Sequence, residues 1–235
     1  YQMLAKLPAP FVRNCQKAAG NFGLPWELLA AIYQVQLENK HVANYPENGE
    51  IVRLSASLAS AAGEKDLGKI INLLGFSKTL VKQIESKTKL LQRGSFLFSN
   101  SFGFPYRTQI WYEDTWGAGR EGGKRKHEGT DIFAPEGIPI YSVSEGKVEK
   151  LGWNRLGGER VGIRGADSIY FYYAHLSKIN PELKEGMAVK KGTLIGFTGH
   201  TGDAITTPDH LHFGMELSNG NWVNPYNFLR YWERN

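Results

Sequence analysis

The chain changes its hydrophobic period once, near residues 91–100, and that change limits it to two differently built parts. Up to Leu91 the apolar residues recur at three- and four-residue intervals, the spacing of one helix face. Beyond Asn100, short runs rich in Val, Ile, Tyr, Phe and Trp are separated by Gly, Pro, Asn and Asp, the punctuation of antiparallel strands. A length of 235 residues exceeds one ordinary domain. The expected class is α+β, with a small helical domain over 1–92 and a compact antiparallel β-sandwich over 93–235.

In the first part, Pro25 can open a helix in which Trp26, Leu28, Leu29, Ile32 and Tyr33 share a face before Asn39. A second helix is predicted from Glu64 to Leu74, stopping at Gly75. Ser77 can cap a third, from Lys78 to about Leu91, with Leu80, Val81, Ile84 and Leu90 apolar. In the second part the predicted strands are 108–112, 138–143, 146–151, 160–164, 168–175, 193–198 and 210–217. Three glycine-rich loops, 113–126, 152–159 and 199–209, are long enough to carry function.

Within this β-rich part lie five residues of metal-binding and proton-handling type: His127 and Asp131 in His-Glu-Gly-Thr-Asp, His175 in Tyr-Tyr-Ala-His-Leu, and His210 and His212 in His-Leu-His-Phe. His210 and His212 stand two apart in an alternating run, so a strand points both rings to one face. Gly129 and the following Thr-Asp-Ile-Phe-Ala-Pro place Asp131 at a turn entering a strand. Imidazole and carboxylate suit Zn²⁺, and three protein ligands leave a fourth position for water. Which of His210 and His212 binds metal is open at this level. His41 and His200 have no repeated ligand spacing and read as ordinary histidines.

The motifs His-x-x-x-Asp, Tyr-Ala-His-Leu, Thr-Gly-x-Thr-Gly-Asp-Ala and His-Leu-His-Phe resemble those of the LytM and lysostaphin-type zinc endopeptidases, over roughly residues 95–235. That resemblance implies a zinc enzyme that hydrolyses amide bonds in the peptide part of bacterial peptidoglycan with an activated water. It makes His127, Asp131 and His212 the zinc ligands and leaves His175 and His210 as catalytic partners. Asp209 departs from the pattern, since a proline or small turn residue is commoner there. Some relatives are degenerate, so the alternative is a non-catalytic metal-binding module that docks or activates a partner; the complete set of five favours the enzyme. Arg120 is the candidate grip for a carboxylate of the stem peptide. Wall enzymes of endospore formers are similar in the lead-in Trp-Tyr-Glu-Asp-Thr-Trp-Gly at 111–117, which favours a stem-peptide bond over a glycine bridge.

Asn21 to Ile32 resembles the first helix of lysozyme-like lytic transglycosylases. The glutamate acid that family needs is not matched: Glu38 has no serine after it, and Gln36 cannot donate a proton as an acid does. A non-catalytic helical module is expected.

The formal charge of +5 suits polyanionic surroundings such as anionic wall polymers. Nucleic acid is not expected, because no aromatic platform is interleaved with basic residues. Lys124-Arg125-Lys126 can face anionic material or lie as a solvated loop. The single cysteine, Cys15, excludes an intrachain disulfide and a cysteine-based zinc site, and reads as a small buried hydrophobe. No apolar run reaches the roughly 18 residues of a spanning helix. The expected location is extracellular or wall-facing, with tethering through a preceding segment expected from the non-Met start.

Overall fold

In the computed structural model, which describes residues 1–61 and 63–235, the helical and strand-rich parts divide between Phe98 and Ser99. One compact unit comprises Tyr1 and Met3–Phe98, the other Gln2 and Ser99–Asn235.

Among the described residues, five α-helices build the first unit: α1 (Ala9–Phe22), α2 (Trp26–Glu38), α3 (Asn48–Ser57), α4 (Leu67–Asn72) and α5 (Lys78–Gln92). Pro25 is the N-cap of α2 and Asn39 its C-cap, where the periodicity placed them. Helix α2 is buried on every side, through Leu28, Leu29, Ala30, Ala31, Ile32 and Val35, so it forms the centre of this unit's core. Ser77 Oγ accepts the Leu80 amide at 3.3 Å and starts α5. Helix α4 begins at Leu67 instead of Glu64, because the Asp66 side chain accepts the amides of Gly68 and Lys69 and so fixes the first turn there. Leu90, expected on the apolar face of α5, is 49% exposed, whereas Leu91 is fully buried. The buried stripe runs through Val81, Ile84, Thr88 and Leu91, and Leu90 falls outside it. Cys15 is buried, and burial pushes its thiol up.

The second unit is built on an eight-stranded antiparallel sheet: β1 (Trp111–Tyr112), β2 (Thr130–Phe133), β3 (Gly146–Asn154), β4 (Gly158–Gly165), β5 (Tyr170–Leu176), β6 (Ala188–Val189), β7 (His210–Glu216) and β8 (Trp222–Val223). The spatial order is β1-β2-β7-β5-β4-β3-β6, with β8 also on β7. A three-stranded sheet (Pro139–Tyr141, Leu194–Phe197, Lys178–Ile179) and a small hairpin (Gly119–Arg120, Arg125–Lys126) complete it. On one face of the large sheet Ile132, Val161, Ile163, Phe171, Tyr173, Leu211 and Phe213 are fully buried. Tyr173 also accepts the Val143 amide at 2.9 Å, which satisfies its buried hydroxyl. The opposite face carries the site.

Two expectations are corrected. Residues 152–159 are largely strand: Gly152 pairs with Arg160, Trp153 with Glu159 and Asn154 with Gly158, closing a β3–β4 hairpin. The glycines that suggested a loop serve the hairpin's turn, where Gly158 has φ +62°. The unit is also not all-β, since α6 (Tyr226–Trp232) follows β8 and buries Phe228, Leu229, Tyr231 and Trp232. Its aromatic run has no clean helical period, and stacking of Trp232 on Phe102, at 5.2 Å between centroids, contributes to holding it.

Candidate metal centre and groove

Strands β2 and β7 are neighbours, with His212 opposite Asp131 and His210 opposite Phe133. This register brings the two halves of the motif together across 81 residues of chain. His127 precedes β2 and hydrogen-bonds through Nδ1 to the Thr115 carbonyl at 2.9 Å, which turns Nε2 into the site. His127 Nε2 lies 2.8 Å from His212 Nδ1 and 3.0 Å from Asp131 Oδ1, and the last two atoms are 3.2 Å apart. For ligands roughly 2.0–2.1 Å from a tetrahedral centre, donor atoms should be about 3.3 Å apart, so the set fits one small cation. Burial alone would raise the Asp131 carboxyl, but hydrogen bonds from His127 and His212 outweigh it and hold it well below the usual carboxylate range. Burial also pushes His212 down, against the pull of Asp131.

Gly129 is required by this packing. A Cβ there would stand 2.6 Å from the His212 ring and 2.6 Å from the Phe213 carbonyl oxygen.

His175 reaches the site through a bulge. Alternation along β5 sends Phe171 and Tyr173 to the core and Tyr172 to the groove, which by parity would send His175 to the core. Between Tyr173 and Leu176 the strand advances three residues while β4 advances two, from Val161 to Glu159, and His175 takes φ +65°. The extra residue reverses the parity and brings His175 beside the other histidines, 4.9 Å from His210 and 5.9 Å from His212 between ring centroids. His175 Nδ1 hydrogen-bonds to the Thr201 carbonyl at 2.8 Å, and His210 Nδ1 to the Pro208 carbonyl at 2.7 Å. Both rings are anchored by Nδ1 and present Nε2. Burial, together with the nearby His212 and His210, pushes His175 down to about 4, so it is neutral at neutral pH.

Arg120, expected to grip a substrate carboxylate, is engaged within the protein: its Nη2 contacts Asp131 Oδ2, the oxygen turned away from the histidines. Arg125, in the basic stretch, bridges Glu121 at 3.3 Å and Asp203 at 2.9 Å. Asp203 Oδ1 stands 3.8 Å from His175 Nε2. Asp209 pairs with His200 Nδ1 at 2.6 Å and accepts the Glu136 amide at 3.0 Å, a structural role for both His200 and Asp209. Glu136, His200 and Asp209 also lie within ligating distance of one another, but at the surface and with both Asp209 oxygens in use. His41 is exposed.

The metal-type residues line a groove of about 880 Å³ together with Tyr170, Tyr172, Trp222 and Arg160. Sequence patterning missed these. Their signal was the every-other-residue series Tyr170, Tyr172 on β5 and Arg160, Gly162 on β4, visible only once the exposed face of each strand is known. Tyr172 packs edge-on to His212, with centroids 6.0 Å apart, and so connects the groove to the metal-type set.

The arrangement places three donor atoms of metal-binding type and two further anchored imidazoles in one groove. Residues 125–225 match the profile of Peptidase family M23, and this segment is an M23 peptidase domain, homologous to LytM, lysostaphin and L-Ala–D-Glu endopeptidase. Over 147 residues the chain is 46% identical to the L-Ala–D-Glu endopeptidase of Bacillus subtilis, covering 59% of this chain and 45% of that protein. Over 101 residues it is 41% identical to the peptidoglycan DD-endopeptidase ShyC of Vibrio cholerae, covering 43% of this chain and 22% of that one. The chain thus spans less than half the length of these curated relatives. The crystal structure of a candidate glycyl-glycine endopeptidase LytM from Ruminococcus gnavus aligns over 97% of this chain and 88% of its own, with a TM-score of 0.61 and 27% identity.

Proposed function

We propose that the protein is a zinc-dependent endopeptidase that hydrolyses amide bonds in the peptide part of bacterial peptidoglycan, acting at the wall. The observation that carries this reading is the mutual 2.8–3.2 Å spacing of His127 Nε2, His212 Nδ1 and Asp131 Oδ1 beside the anchored rings of His175 and His210. His127, Asp131 and His212 would hold the zinc. When bound, zinc supplies a Lewis acid that polarises the scissile carbonyl and acidifies water. His175 and His210 present Nε2 to the same space, so an imidazole there can take a proton from the attacking water and return it to the leaving amine. In its protonated form it also stabilises the negative charge that develops on the carbonyl oxygen.

Stem-peptide bonds are favoured over glycine bridges, because identity is 46% to the L-Ala–D-Glu enzyme and 38% to the glycyl-glycine endopeptidase ALE-1 of Staphylococcus capitis. Among the described residues no helix is long and apolar enough to cross a membrane.

The test is incubation of purified peptidoglycan with zinc-loaded protein. Newly freed amino groups are expected, and are expected to vanish with chelator or in His210→Ala. If no wall preparation releases amines, the enzymatic reading fails.

A further inference from the structure

Three arginines line the groove. Arg120 is held by Asp131, and Arg125 by Glu121 and Asp203. Arg160 differs in making no ion pair among the described residues; its Nη1, like Arg125 Nε, is shielded from solvent without a hydrogen-bond partner. A guanidinium carries five donors and cannot shed its charge, so leaving a donor such as Nη1 dry and unpaired has a cost.

Its position fits a ligand. Val161 and Ile163 of β4 are fully buried on the core face, and Arg160 stands on the opposite face with Gly162. Gly162 lets Tyr170 lie across the strand, since a Cβ there would come within 1.9 Å of the Tyr170 hydroxyl. Gly157 does the same for Tyr172, whose hydroxyl also accepts from Asn154 Nδ2 at 3.3 Å. Both phenols feel the Arg160 charge. The result is a guanidinium beside Tyr170 and Tyr172, with Lys150 lining the same groove. Arg160 stands two strands from the β7 histidines, about 10 Å between strand backbones at the usual spacing, and its long side chain lines the same groove as they do.

Resting on the endopeptidase reading above, we infer that Arg160 is a specificity-determining residue that receives a free carboxylate of the substrate peptide near the scissile bond. The substrate class is therefore an anionic stem peptide, and peptides whose carboxyl is amidated, or glycine bridges that have none, are disfavoured. A carboxylate matches the guanidinium fork bidentately and satisfies the dry Nη1. Arg160 acts on binding and has no part in proton transfer.

The test uses the full chain loaded with zinc and two synthetic peptides containing an L-Ala–D-Glu bond, identical except that the glutamate's free carboxyl is a carboxylate in one and a carboxamide in the other. The wild type should favour the carboxylate peptide by about 10- to 100-fold in kcat/KM, the scale of one buried charge-assisted contact. Arg160→Gln should abolish that preference by raising KM for the carboxylate peptide alone, with kcat and zinc content nearly unchanged. Arg160→Lys should keep part of the preference, and thermal melts establish that both variants fold. A wild type indifferent to the carboxyl, or an Arg160→Gln variant that keeps the preference or loses both substrates equally, overturns the inference. Calorimetric titration of the same peptides separates this from failure of the enzymatic reading. Carboxylate-dependent binding that Arg160→Gln removes supports the inference even without turnover, and binding that ignores the carboxyl, or none, overturns it.

Discussion

His127 Nε2 stands 2.8 Å from His212 Nδ1, although 85 positions separate the two residues. Two imidazole nitrogens at that distance, both also within 3.2 Å of one carboxylate oxygen, form a donor set that suits one small cation. Asp131→Ala should therefore lose metal. His175→Ala should keep it and lose turnover by about 100- to 10,000-fold, the range for a proton-transfer group. Metal content by mass spectrometry beside a peptidoglycan assay checks both, and normal zinc in both variants would show that the ligands are misassigned.

Gly129 gives a test that leaves every ligand in place. In Gly129→Ala the new methyl would meet the His212 ring at 2.6 Å, so the ring must turn away from Asp131. Zinc affinity should fall by about 10- to 100-fold, as for lost ligand orientation. In Gly49→Ala the nearest atom is a flexible Arg53 nitrogen at 3.7 Å, and affinity should not change. Competition with a chromophoric chelator reads the difference.

Acid should destabilise the metal-free protein before its carboxylates titrate. His175 is held at about 4 in the folded state against roughly 6.5 unfolded. Between those values the unfolded chain binds the extra proton, so stability is full above about 6.5 and falls as pH drops towards 4. The lowered His212 acts in the same direction. Melting of the metal-free protein across this window should show the loss, and a His175→Gln variant should show less of it.

Metal removal should lower the melting temperature of the strand-rich unit. Zinc binds only the assembled site, and at about 1,000 times its dissociation constant a ligand contributes about 4 kcal/mol. Calorimetry with and without chelator should show that transition move, and Asp131→Ala should not respond.

In the helical unit, Leu91→Ala should cost about 2–5 kcal/mol, the range for a buried leucine. Leu90→Ala, at a side chain 49% exposed, should stay within about 0.5 kcal/mol. Denaturant midpoints for the two variants distinguish them.

The sequence by itself determined the parts whose physics is local. Pro25, Ser77 and the three- and four-residue apolar spacing placed α2 and α5, because caps and faces depend on residues within two turns. His210 and His212 declared a shared face through the two-residue period of a strand. Where several local signals competed, the start of α4 shifted to the residue whose side chain captured two amides, Asp66. The tertiary structure decided what depends on pairing between distant strands. Only the register of β7 against β2 joins His212 to Asp131, and only a bulge against β4 turns His175 from the core to the groove. Arg120 and Arg160 look alike in the sequence; a carboxylate from another strand occupies the first, whereas Nη1 of the second, among the described residues, has no hydrogen-bond partner. Side-chain chemistry is written residue by residue, but which charge is spent inside the protein and which remains for a ligand is settled by neighbours that the chain acquires on folding.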